Sequence, residues 1–166
     1  MNPLLIITCL VIAITIHEFA HAKMADALGD PTPGMMGRLT LNPVRHFDPF
    51  GFMMIVITST TGYGIGWGKP VRTNPSNFDS ERWGMFWVAI AGPLSNFLQA
   101  AVACVLLRLL HLNPMDEMGY VLKLFATLNV LLMCFNLIPF GPLDGHWLVG
   151  ALLPEPYRTR WHQFSR

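Results

Sequence analysis

The chain has 166 residues, of which 52% are hydrophobic and only 13% charged, with a formal net charge of +1 and a mean hydropathy of +0.43. Soluble domains carry about 25% charged residues, so this depletion argues against an ordinary water-soluble domain and for a membrane protein. The near-neutral balance and the lack of any basic run give no support for nucleic-acid binding, and the length suits one domain, residues 1–166.

The first segment runs from about Pro3 to Leu28, long enough to span a bilayer, and Pro3 to Ile16 holds no charged residue. Gly29-Asp30-Pro31 and Pro33-Gly34 stop it. Ala20-His21-Ala22 mimics a signal-cleavage site, but no Lys or Arg precedes the apolar run, so a retained membrane helix is expected. Gly37-Arg38-Leu39-Thr40-Leu41-Asn42-Pro43 alternates and predicts a short strand ended by a turn. Phe50 to about Ile65 is apolar but short, which suits a re-entrant or interfacial piece. A Gly/Pro-rich connection, Gly64 to Pro75, carries Trp67, Lys69, Pro70 and Arg72.

A third segment, about Trp83 to Leu112, can span with tilt and contains Gly92-Pro93-Leu94-Ser95-Asn96. A fourth runs from Tyr120 to about Ile138. Pro139-Phe140-Gly141-Pro142-Leu143-Asp144-Gly145 breaks the pattern, apolar residues resume to Leu153, and Pro154 to Arg166 forms a polar, basic tail. The fold expected is an all-α polytopic membrane protein: a bundle of about three to four membrane helices, with a short β element or re-entrant segment between the first and third. Cys9, Cys104 and Cys134 lie in apolar segments without C-x-x-C spacing and read as small apolar residues.

Lys23, Arg38, Arg45, Lys69, Arg72 and Arg82 flank one side of these segments, with Arg158, Arg160 and Arg166 in the tail, whereas residues 111–119 hold Asp116 and Glu117 and no Lys or Arg. Positive-inside reasoning puts the basic regions in the cytoplasm, provided the short second segment enters and leaves on one side.

His17-Glu18-Phe19-Ala20-His21 carries the chemistry. H-E-x-x-H on a helix sets two imidazoles at i and i+4 on one face, able to share a zinc ion, with the glutamate beside it as general base. The motif arises by chance in well under roughly one in a hundred chains of this length, and ionisable groups at membrane depth are costly enough to need a function. Catalytic zinc takes three protein ligands and keeps a position for water. The metzincin positions for a third histidine and its glycine are Ala27 and Met24, which excludes that pattern. The candidates are His46, Asp48, Asp79, Glu81, His111, Asp116, Glu117, Asp144, His146 and His162. Asp144 is set apart by the broken stretch before it, since broken helices at membrane depth line cavities; His146 comes next. Read from the residues alone, Asn96 and Asn136 suit hydrogen bonding between helices.

The chain resembles the site-2 protease family of intramembrane zinc metalloproteases, in its short bacterial form without PDZ or CBS domain. The resemblance covers nearly the whole chain and rests on His17–Ala22, Gly37–Pro43, His46-Phe47-Asp48-Pro49-Phe50-Gly51, Gly66-Trp67-Gly68-Lys69-Pro70-Val71, Ala91–Asn96 and Asn136–Gly145. It implies His17, His21 and Asp144 as ligands of Zn2+, Glu18 as catalytic base, Asn96 as a catalytic group binding the substrate carbonyl or oxyanion, and Gly66–Val71 as a guide for extended substrate. It further implies hydrolysis of peptide bonds in or near a substrate's transmembrane helix, and a place in the bacterial inner membrane with the site toward the cytoplasm; the partners expected are the substrate helix, the lipid bilayer and, in a homo-oligomer, a second copy of the chain. Relatives usually continue beyond the Leu-Asp-Gly block with another membrane helix, so truncation at the C-terminus is expected. The alternative is a non-catalytic metal- or proton-binding membrane scaffold or transporter-like protein.

Overall fold

A computed structural model describes residues 2–63 and 66–164. Its elements are α1 (Pro3–Ala27), α2 (Thr32–Met35), a 3-10 turn at Pro43–His46, α3 (Pro49–Thr61), a 3-10 turn at Pro75–Asn77, α4 (Glu81–Leu109), α5 (Glu117–Asn136), α6 (Asp144–Leu152) and α7 (Tyr157–Phe164). α1, α4 and α5 are long and apolar enough to cross a membrane. α3, with 13 residues, rises only about 20 Å, less than the ~30 Å hydrocarbon core.

Local chemistry sets the helix ends. Asn2 caps α1 by accepting the Leu4 N–H, with Pro3 in the first turn where no donor is needed. Asp48 caps α3 through the Gly51 N–H at 2.8 Å, and Gly62 ends it at φ +77°, a conformation glycine adopts without a Cβ penalty.

α1 is the central helix, lying against α3, α4 and α5. Its first half buries Ile6, Leu10, Ala13 and Ile14 with Ile55 of α3 and Leu132 of α5. Its second half buries His17, Glu18 and His21. α4 and α5 meet through Ala100, Ala103 and Ala126, small residues that let two backbones approach. Leu94, Phe97, Leu98, Val102 and Val105 on α4 and Leu131 on α5 face outward. Small residues at the α4–α5 contact with large apolar ones on the outer faces of both helices is the arrangement a lipid solvent favours.

One expectation needs correction. The described residues contain no β-strand. Residues 37–43 form consecutive local turns, with the Arg38 N–H on Pro33 O, the Thr40 N–H on Arg38 O and the Arg45 N–H on Asn42 O. The alternation misleads because the buried residue is Arg38, at 3% exposure, while Leu41 stands 57% exposed. The polar tail packs back on α6. It carries α7, whose Trp161 ring stacks on His146 with centroids 5.5 Å apart and donates its Nε1–H to the His146 carbonyl.

Asp30 ties the loops together. Its carboxylate takes the Thr32 N–H and O–H, the Asn74 N–H and the Asn77 side-chain amide. Burial pushes its pKa up, and these donors more than reverse that, so the carboxyl sits below its ordinary range.

Candidate metal centre and active site

His17 and His21 lie one turn apart on α1 with ring centroids 4.6 Å apart. Asp144 opens α6, where the break at Pro139 to Pro142 turns the chain back toward α1. Gly145 permits that return, because a Cβ there would strike the Leu137 carbonyl at the end of α5. His17 Nε2 stands 3.3 Å from Asp144 Oδ2, and His21 Nε2 stands 3.3 Å from Asp144 Oδ1. The two Nε2 atoms are 3.0 Å apart.

The proton positions follow from the surroundings. The Phe125 carbonyl can only accept, so Asn129 Nδ2 donates to it at 3.0 Å and Asn129 Oδ1 accepts from Asn96 Nδ2 at 2.8 Å. Asn96 Oδ1 therefore accepts from His17 Nδ1 at 2.5 Å. His21 Nδ1 donates to the Val88 carbonyl at 2.7 Å. Both imidazoles are thereby held as the tautomer whose Nε2 bears a lone pair.

Two lone pairs and a carboxylate now face one another in a buried site, which is repulsive unless a cation lies between them. Asp144 Oδ2 is buried and receives no hydrogen bond. Atoms bound tetrahedrally to zinc at about 2.0–2.1 Å lie about 3.3 Å apart, close to the three separations found here. The residues fit a zinc ion, and among the described residues no other group of His, Cys, Asp and Glu gathers this way.

Sequence comparison agrees with the geometry. The chain is 38% identical to a Bacillus subtilis protein named "Putative zinc metalloprotease YwhC", over 98% of this chain and 75% of that one. The chain belongs to the site-2 protease family. Two mycobacterial proteins named "Putative zinc metalloprotease Rip2" are also similar: that of Mycolicibacterium smegmatis at 28% over 92% of this chain, and that of Mycobacterium tuberculosis H37Rv at 30% over 89%. The chain spans 57% of the length of each Rip2 protein. No family model and no solved structure matches it.

In this family member the remaining candidate ligands lie elsewhere. His46 Nε2 donates to the Thr40 carbonyl, Asp48 caps α3, and His146 stacks on Trp161. Asp79, Glu81, His111, Asp116 and Glu117 join no metal-binding group, and the side chain of His162 lies outside the described residues. Glu18 is 9% exposed, and its Oε2 accepts the Val71 N–H at 3.2 Å. A cavity of about 220 Å³ opens over the centre, lined by His17, Glu18, His21, Trp67, Gly68, Val71, Asn136 and Asp144 among others.

Asn96, expected to bind the substrate carbonyl or oxyanion, is not among the residues that line this cavity. It is fully buried behind His17 with both amide atoms engaged. Asn136 is the asparagine on the cavity, with its Nδ2 on the carbonyl of Leu132 one turn back. No periodicity in the sequence separates these two asparagines, because the distinction depends on which neighbour each meets across the bundle. Asn129 carried no signal at all. Partners of metal-bound histidines typically matter 10- to 100-fold, that is about 1.4–2.7 kcal/mol. Asn96→Ala is accordingly expected to weaken zinc binding by about that factor, measured by competition with a chromophoric chelator, with the protein still folded.

Proposed function

We propose that this protein is a zinc-dependent endopeptidase that hydrolyses peptide bonds in or next to the transmembrane segments of membrane proteins. The observation that carries this reading is the buried convergence of two Nε2 lone pairs and the Asp144 carboxylate, with the Glu18 carboxylate beside them on the cavity wall. A pure metal scaffold has no use for a carboxylate that does not ligate.

His17, His21 and Asp144 would hold the ion, which when bound supplies Lewis acidity, lowering the pKa of water from 15.7 to about 7 and polarising a carbonyl. Glu18 Oε2 stays on the Val71 N–H while Oε1 takes the proton of the attacking water. The same carboxyl then delivers that proton to the leaving amine nitrogen. Asn136 Nδ2 spends one hydrogen on Leu132 O and keeps a second for the substrate carbonyl oxygen.

The substrate helix must unwind to expose its carbonyls. Residues 66–74 are without helix, and Trp67, Gly68, Pro70, Val71 and Thr73 border the cavity. This stretch is the edge along which an opened substrate lies. An apolar cavity of about 370 Å³ shares Trp67 and Gly68 with the catalytic one and includes Ile14, Phe52 and Ile55, which suits apolar substrate side chains. The basic loops at the His21 end of α1 and the acidic α4–α5 turn favour an inner-membrane protein with its site toward the cytoplasm. The short α3 satisfies the parity that this orientation needs.

The test is cleavage of a fluorescent single-span peptide, with a Gly-Asn pair in its span, by the purified protein in detergent micelles. About one zinc per chain is expected, with cleavage stopped by a chelator and restored by zinc. Protein that binds no zinc, or cleavage indifferent to the chelator, would overturn the reading.

A further inference from the structure

The Gly37–Pro43 block has no part in the chemistry described so far, yet it supplies a buried cation. Arg38 is 3% exposed. Among the described residues no carboxylate lies within ion-pair distance of it. A buried guanidinium without a direct counter-ion is expensive. Its donors go to two carbonyls: Nη1 to Arg45 O at 2.5 Å and Nη2 to Pro70 O at 3.3 Å.

Pro70 C=O and Val71 N–H belong to the same rigid peptide plane. One end of that plane is held by Arg38, and the other donates to Glu18 Oε2 at 3.2 Å. Burial pushes the Arg38 pKa down, and the negative charge of Glu18 opposes that shift without reversing it. The platform is built on the turn itself: His46, buried against Thr40 O, offers its own carbonyl to the Lys69 N–H at 2.8 Å. The loop that touches the base is thus pinned at Lys69 and at Pro70 by residues 38–46.

We propose that Arg38 is a positioning residue for Glu18, acting through the Pro70–Val71 peptide to hold the carboxylate in register with the metal centre. This rests on the peptidase reading above. It explains why a charged side chain is buried in a turn 20 residues from the base in sequence.

The experiment uses zinc-loaded protein in detergent micelles with isotope-labelled valine. The Val71 amide resonance is assigned by its loss in Val71→Ala. A proton donated to a carboxylate resonates downfield, and both Glu18→Gln and Arg38→Met are expected to move it upfield while the other valine amides stay in place. With the single-span peptide, Arg38→Met should keep its zinc and lower kcat about 10- to 100-fold, with KM within about twofold. If Arg38→Met fails to fold, Val71→Pro, which removes the N–H donor, should lower kcat well below that of Val71→Ala, which keeps it. A Val71 resonance indifferent to both substitutions in a cleaving enzyme overturns the inference alone, as does equal kcat for Val71→Pro and Val71→Ala. A resonance that responds in a protein that cleaves nothing overturns the peptidase reading, and the catalytic role of Arg38 with it.

Discussion

Gly92→Ala is expected to empty the metal site while leaving the bundle helical. A Cβ at this position would stand 2.6 Å from His17 Cε1 and nearer still to His21 Nε2, well inside the ~3.5–4.0 Å of ordinary contact. Helix propensity alone predicts the opposite sign, since alanine stabilises a helix interior by about 1 kcal/mol over glycine. The clash dominates because it falls on two ring atoms whose far sides are already fixed, His17 by Asn96 and His21 by the Val88 carbonyl. The imidazoles cannot retreat without losing those bonds, so they rotate off the metal or force α4 from α1. Zinc affinity should fall at least about 100-fold, beyond the loss of a single supporting hydrogen bond. Elemental analysis and circular dichroism together check this: absent zinc with retained helicity is the expected pair. Full zinc occupancy in Gly92→Ala would mean that α4 lies farther from the imidazoles than described here.

Glu18→Gln should produce the other large effect, with the reverse signature. The amide is the same size, can still accept the Val71 N–H through its oxygen, and leaves His17, His21 and Asp144 untouched. Zinc content should therefore match that of the unsubstituted protein. What is lost is the proton acceptor, and general bases contribute about 10²–10⁴-fold, so kcat on the single-span peptide should fall by at least about 100-fold with little change in KM. Cleavage at the original rate would remove Glu18 from the mechanism. The two variants separate the roles: one loses metal and with it activity, the other keeps metal and loses only turnover.

The contrast between these residues shows what was legible in the amino-acid order. Membrane helices and the H-E-x-x-H pair are local facts. Apolar length makes a span, and a spacing of four residues puts two side chains on one helical face whatever surrounds them. The three helices long and apolar enough to span, and the pairing of His17 with His21, could thus be read directly. Asp144 could be read only as the best of several candidates, because its approach to α1 depends on the turn at Pro139–Pro142 and on Gly145 passing the end of α5.

The strand expected at Gly37–Pro43 failed for a related reason. Alternation records which side chains are apolar, but burial there is decided by the carbonyls of Arg45 and Pro70, which capture Arg38. The order of residues determined the helices, the apolar character of the long ones and the pairing of His17 with His21, since each is a local property of one helix. Tertiary structure decided the approach of Asp144 to the two imidazoles, the tautomers set by Asn96, Asn129 and Val88, the room for the imidazoles at Gly92, and the peptide on which Glu18 rests. Each of those depends on which backbone or side-chain group meets another across the bundle, and no local period carries that information.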